Sequence, residues 1–577
     1  MNSRTPVARA AFTSFGRDFL NPATPLSCIG SGGLGGKAQG LALIRDVLHE
    51  LDATKHAGIH IEIPPLVVVC TDVFDAFMEQ NQLLETALSD LPEDRMARAF
   101  QKAELPFEAL GDLRALIEDV HTPLVIRSSS LLEDTRSHPF AGIYTTKMIP
   151  NNQYDSDARF QQLIEAIKLV YASTYFRSAK DYRHALGHGD DSEKMALIIQ
   201  AVVGNRYHDR FYPELSGVIR SYNYYPMDPA RPEDGVVSLA LGLGKTIVDG
   251  GVSWPYSPAY PKLEPPFGSV EKMLKGTQTQ FWAVNMGEPA AYDPTRETEY
   301  LLLNDITAAE RDASLDHLVS TYSPLSGRLS IGTGFKGPRA LTFAPLLVLN
   351  QVPLNELVLE LLRVCGEALG GPVEIEFAMT FDPHRFGFLQ VRSMLVPTGE
   401  TDVSPEELSG DEVLIGCDRA LGNGTVNDII DILYVKPESF DLKHTLAIAP
   451  ELEHFNRKML EAGRNYLLIV LGRLGTTDPW LGIPIIWSRI SAANVVVEAT
   501  QENARVELSQ GSHYFHNIIN LGIKYFTVPF TSPYKIDWEW LGQQEVLEES
   551  TFVRHVRTKR PLRIKVDGRS SRGVILK

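Results

Sequence analysis

The chain has 577 residues, 44% of them hydrophobic and 22% charged, with a formal net charge of −17. That length exceeds what one hydrophobic core supports, so two to four domains or subdomains are expected. The acidic balance argues against a nucleic-acid binder or a protein of anionic membranes, both of which need basic surface, although a local basic pocket for a nucleotide is compatible with it. No apolar run approaches a membrane span; PPLVVVC and YLLIVLG are strand-sized. Cys28, Cys70, Cys365 and Cys417 have neither metal-site nor disulfide spacing and suit small buried positions. Arg4, Arg9 and Arg17 precede the first acid, a faint transit-peptide signal, but there is no secretory apolar segment, and the cytoplasm is the expected location.

Residues 28–48, CIGSGGLGGKAQGLALIRDVL, join a glycine-rich turn to an amphipathic helix carried by Leu41, Ile44, Val47 and Leu48. The helix is predicted to begin near Gly35-Gly36-Lys37, where backbone N–H groups and the lysine would face an anion. It is not a Walker A loop, because Ala38 follows the lysine. Residues 60–78 read as a strand and then a helix starting at Thr71-Asp72, and residues 82–117 as mostly helical scaffold.

Residues 123–142, PLVIRSSSLLEDTRSHPFAG, form the first dense constellation. Leu124, Val125 and Ile126 suit a buried strand ending at Arg127, whose planar fork of donors can meet a phosphate. Ser128, Ser129 and Ser130 add hydroxyl and backbone donors, and the polar loop closing on Ala141-Gly142 suits a flap. Downstream, Leu163, Ile167, Val170 and Tyr171 make a helical stripe. MALIIQAVV (195–203) is an apolar strand with one polar residue, Gln200, and LSGVIRS reads as its partner. Residues 236–251 run from a strand into the turn Gly242-Leu243-Gly244-Lys245.

The second constellation is residues 372–392, PVEIEFAMTFDPHRFGFLQVR, a hairpin around Asp382-Pro383. Alternation puts Glu374 and Glu376 on one face and Ile375, Phe377 and Met379 on the other. Two adjacent carboxylates repel unless a cation neutralises them, and hard oxygen ligands suit Mg²⁺. Gln390 on the returning strand can project toward the same place. Residues 397–411, PTGETDVSPEELSGD, have linker composition.

These motifs, in this order, resemble the nucleotide-binding domain of phosphoenolpyruvate synthase and pyruvate, phosphate dikinase, an ATP-grasp fold. The resemblance rests on G-G-K-A at 35–38, on Ile126-Arg127-Ser128-Ser129 with Glu133-Asp134 and Phe140-Ala141-Gly142, and on Glu376, Gln390 and Arg392, and it spans about residues 20–395. It implies a two-lobed α/β assembly within residues 1–396, with lobes at about 20–220 and 221–396. A linker (397–411) and a separate, smaller α/β domain (412–577) follow. It further implies ATP as ligand, with Gly35, Gly36, Lys37, Arg127, Ser128 and Ser129 at the phosphates, Gln200 and Val202 at the base, Glu374 and Glu376 on Mg²⁺, and Gln390 in support. Five positions depart from the family pattern: Leu66 replaces a glycine, Pro139 a serine, Val373-Glu374 a Gln-Asp pair, and Lys245 an acid, so Lys245 would contact phosphate directly or alter the chemistry.

The family's phosphohistidine and pyruvate-binding domains are not recognisable, and about 165 residues are too few for a (β/α)₈ barrel plus another domain. That segment carries Arg473, Thr476, Thr477, Asp478 and Trp480 in one loop, and Ser509, Ser512, His513 and His516 in another stretch. Gly511-Ser512-His513 echoes the phosphohistidine context, which makes His513 a candidate acceptor; a buried or capping histidine is the alternative. Two functions follow: an ATP-dependent phosphotransferase acting on a partner's histidine, its own histidine or a small molecule, or a nucleotide-binding regulatory or assembly module that does not turn over. Oligomeric state stays open, a homodimer included.

Overall fold

The structure, a computed structural model, describes residues 11–16, 26–49, 51, 58–133, 142–185, 189, 193–224, 226–265, 267, 269–288, 291–394, 396, 401–476, 480, 482–501, 522–568 and 570–577. The architecture is mixed α/β, and the chain divides into two compact units, Met1–Ile247 with Val252–Met394, and Val248–Gly251 with Leu395–Lys577.

The first unit carries two six-stranded sheets. One runs Thr13–Ser14, Leu26–Ile29, Leu66–Val69, Met195–Ala201, Leu124–Ser130 and Lys147–Ile149. Its first three strands are parallel and the rest antiparallel. Leu66–Val69 is buried at every residue, as a continuous apolar run in the middle of a covered sheet must be. The second sheet runs Trp254–Tyr256, Val236–Ala240, Leu215–Arg220, Val373–Phe381, His384–Ser393 and His60–Glu62. Sheets of four strands (205–305) and three strands (319–341) complete the unit.

The glycine-rich turn leads into the helix Gly36–His49, as its apolar spacing predicts, with Leu41 and Ile44 in the core. This helix presses on the strand His384–Ser393, where a side chain at Gly40 would lie 2.7 Å from the Val391 carbonyl oxygen. It therefore packs against an element of the second sheet, while its N-terminus meets the first.

The expected strand 124–126 continues to Ser130, because Met195–Ala201 pairs with it along its whole length, Ser130 opposite Met195. The three serines are therefore buried strand residues rather than a loop of exposed donors.

In the second unit, the strands Asp431–Val435, Tyr466–Leu471, Ala493–Ala499 and Lys524–Val528 lie side by side and parallel within a seven-stranded sheet. A four-stranded sheet, Val413–Cys417, Arg572–Leu576, Arg563–Asp567 and Gly424–Val426, stands beside it. Part of the expected linker is folded: Ser404 and Glu407 cap a short 3₁₀ turn, Pro405–Leu408, and Val403 and Leu408 are buried against Val574. Composition suggested a free tether, but two apolar side chains with a partner surface are enough to order it. No helix among the described residues is long and apolar enough to cross a membrane.

Candidate functional site

The first part of the glycine turn is tied to the protein's own side chains. The backbone N–H and hydroxyl of Ser31 donate to Asp72 Oδ2 at 2.8 and 3.0 Å, and Gly33 N–H donates to the Thr71 hydroxyl at 2.8 Å. Burial raises the Asp72 carboxyl, but the N–H donors of Ser31 and Gly32 outweigh it and hold its pKa below the usual carboxylate value. The protein's own acid thus occupies these donors.

Lys37 is positioned by contact between turn and strand. Gly35 adopts φ +75°, and a Cβ there would lie 1.6 Å from the Ser129 carbonyl oxygen. The Ser129 hydroxyl donates to Leu34 O at 2.9 Å and accepts from Ala38 N at 3.2 Å, bolting the helix start to the strand. The Lys37 ammonium then reaches Ser128 O and Oγ, both at 3.1 Å, and forms an ion pair with the buried Glu133. Glu133 also accepts from Ser128 Oγ at 2.9 Å and from Ser130 N at 2.7 Å. Ser128 and Ser129, expected near the phosphates, are buried, and their hydroxyls bond Lys37, Glu133 and the start of the helix that carries Lys37.

Arg127 crosses from the first sheet to the second. It donates to Leu389 O at 3.2 Å, Glu376 Oε2 at 3.2 Å and Gln390 Oε1 at 2.6 Å. Register explains the remaining convergence, since Glu374 lies opposite Arg220 on one neighbouring strand and Arg392 on the other, and Glu376 lies opposite Gln390. Arg220 Nε donates to Glu374 Oε2 at 2.6 Å, and Arg392 Nε donates to Oε1 at 2.8 Å. Arg392 belongs to the sequence motif, without an assigned ligand, and Arg220 is not singled out by the sequence at all. Arg220 ends an apolar strand, and only the three-dimensional register places it on Glu374.

Mg²⁺ does not fit the carboxylates assigned to it. Glu374 is buried with a guanidinium on each oxygen, and Glu376 shares one oxygen with Arg127. Among the described residues three arginines stand against two glutamates here, a balance that disfavours a dication and suits a polyanion. Among the described residues no group of three or more His, Cys, Asp or Glu is placed to hold a metal.

Gln200 is buried on the central strand, its amide N–H reaching Pro64 O at 3.3 Å while Oε1 has no hydrogen-bond partner among the described residues. Val202 packs on the apolar cluster of Phe211, Leu243, Val284 and Met286. Lys245 follows the glycine turn and lies 3.6 Å from Glu297. The segment bearing Glu297 is fixed by Lys147, buried on the edge strand, which donates to Pro294 O at 3.0 Å, Arg296 O at 3.1 Å and Glu299 Oε2 at 2.6 Å. His513, with Thr477, Asp478, Ser509, Ser512 and His516, lies outside the described residues.

A further buried acid stands behind Glu133. Glu193 accepts from Leu131 N at 3.1 Å and Tyr144 Oη at 3.0 Å. Burial, reinforced by the charge of Glu133, pushes its carboxyl up to about 7 despite the Tyr144 bond and the charge of Arg183. A raised acid pKa favours the protonated fold, so this contribution is complete below about pH 4.5 and is lost as pH rises through about 7. Urea denaturation should therefore show stability falling between about pH 5 and pH 8, by at most roughly 3 kcal/mol. Glu193→Gln, neutral at every pH, should flatten the profile.

Cationic side chains from two sheets, each held on an internal carboxylate, have the charge pattern of an anion-binding domain. Residues 32–409 match the pyruvate phosphate dikinase AMP/ATP-binding domain, and the chain belongs to that family. It is 26% identical over 218 residues to the uncharacterized phosphotransferase YvkC of Bacillus subtilis, an alignment covering 37% of this chain and 22% of that protein. It is also 26% identical over 210 residues to the rifampicin phosphotransferase of Streptomyces sviceus, covering 33% and 22%. Phosphoenolpyruvate synthase of Aeropyrum pernix is 26% identical over 243 residues, covering 38% and 26%. The chain spans about a quarter of the length of these relatives.

Proposed function

We propose that the first unit binds ATP and that the chain is an ATP-dependent phosphotransferase of the phosphoenolpyruvate synthase type. The observation that carries this reading is a set of cations from both sheets, each seated on a protein carboxylate or amide: Lys37 on Glu133, Arg127 on Glu376 and Gln390 across the two sheets, and Arg220 and Arg392 on Glu374. Each cation rests on a protein carboxylate or amide that a phosphate oxygen can replace. In this reading the triphosphate takes Lys37 from Glu133 and Arg127 from Glu376 and Gln390, and Lys245 turns from Glu297 toward it. Val202 and its apolar cluster supply a surface for the base, and Gln200 Oε1, which has no partner among the described residues, supplies an acceptor for an exocyclic amine.

Transfer then relies on positioning and charge stabilisation, since phosphoryl transfer asks little covalent chemistry of the protein. The acceptor is a histidine of a partner, a histidine of this chain such as His513, or a small molecule. Incubation with ATP labelled separately at the β and γ phosphates tests the reading. AMP with acid-labile label on protein indicates a dikinase-like reaction, and ADP formed only with an added acceptor indicates a simple kinase.

A second reading, a nucleotide-binding module without turnover, is favoured by one observation: Glu374 is held by two arginines instead of being open to a metal. Under it, ATP is bound and recovered intact.

A further inference from the structure

We propose that Arg220 stands in for a divalent cation at Glu374, so that nucleotide binds this face through guanidiniums and without need of Mg²⁺. The inference rests on the ATP reading above and concerns what neutralises the phosphates.

Arg220, Glu374 and Arg392 sit on three adjacent strands in matched register, all buried. The two guanidiniums approach the carboxylate by different oxygens, Arg220 at Oε2 (2.6 Å) and Arg392 at Oε1 (2.8 Å). A hard dication needs carboxylate lone pairs on its own side and negative charge in excess. Here both oxygens already accept charge-assisted bonds, and the set of Arg127, Arg220, Arg392, Glu374 and Glu376 has one positive charge more than negative. Guanidiniums present forked donors that match phosphate oxygens directly, the complementarity that a bridging metal would otherwise supply between two anions. Arg220 is the deciding member, because it takes the Glu374 oxygen that Arg392 does not.

The test uses the full chain in equilibrium titrations with ATP, in excess EDTA and in excess Mg²⁺, with Mn²⁺ alone added to the nucleotide-free protein and followed by electron paramagnetic resonance. The proposal expects ATP affinities in EDTA and Mg²⁺ within about threefold and no protein-bound Mn²⁺. Arg220→Met, which leaves Glu374 paired with Arg392, should weaken binding in EDTA at least about tenfold and regain part of it with Mg²⁺. Arg220→Lys, retaining the charge, should lie between the two. ATP affinity that collapses in EDTA for the unaltered protein overturns the proposal, as does Mn²⁺ binding that Glu374→Gln removes. Failure to bind ATP under either condition overturns the ATP reading, and the Mn²⁺ arm still decides whether Glu374 takes a metal.

Discussion

Gly35→Ala is expected to destabilise the first unit by roughly 4 kcal/mol or more and to abolish nucleotide binding. The added methyl would lie 1.6 Å from the Ser129 carbonyl oxygen and 2.3 Å from its carbon, and the backbone there has φ +75°. Neither group can yield cheaply, because the Ser129 carbonyl belongs to the six-stranded sheet and its hydroxyl holds Leu34 and Ala38. Relief requires lifting the helix start off the strand, which carries Lys37 away from Ser128 and Glu133. Gly371→Ala, at a position with open space around its Cα, serves as the control and should change stability by no more than about 0.5 kcal/mol. Urea denaturation of both variants, with ATP titration of whichever folds, checks the expectation.

Glu374→Ala should cost roughly 3–5 kcal/mol, because it removes the carboxylate shared by two buried guanidiniums. The sign of this effect discriminates between two accounts of the residue. An acid waiting for a metal is a repulsive group in the metal-free protein, and its removal would stabilise. An acid that is the counter-ion of Arg220 and Arg392 is structural, and its removal destabilises. Glu376→Gln, half-buried and sharing one oxygen with Arg127, should cost no more than about 1 kcal/mol. Denaturant midpoints in EDTA, measured for both variants, separate the accounts.

How far the sequence discloses this molecule depends on the range of the interaction concerned. The helix Gly36–His49 and the buried start of the Leu124–Ser130 strand are legible because a glycine turn, a 3.6-residue apolar period and a short apolar run are local signals. Strand alternation likewise places Glu374 and Glu376 on one face. What those acids meet is not local: Arg220 is 154 residues from Glu374, and Glu133 is 96 residues from Lys37. A paired-carboxylate pattern therefore suggests a metal, and only the register of Leu215–Arg220 against Val373–Phe381 supplies the guanidinium instead. The burial of the serine cluster is hidden for a related reason, since the Ser129 hydroxyl bonds a helix start that sequence spacing does not bring near, while those of Ser128 and Ser130 bond Glu133. The tether-like stretch before residue 411 misleads because its composition masks two apolar anchors, Val403 and Leu408.

The central claim is that this chain binds ATP through Lys37 and Arg127, and an equilibrium titration of the full chain with ATP, beside Lys37→Met and Arg127→Met, tests it most directly. Saturable binding by the unaltered protein, weakened at least about tenfold in each variant while both remain folded, is the predicted result. Absence of binding, or equal affinity in all three proteins, would contradict the account.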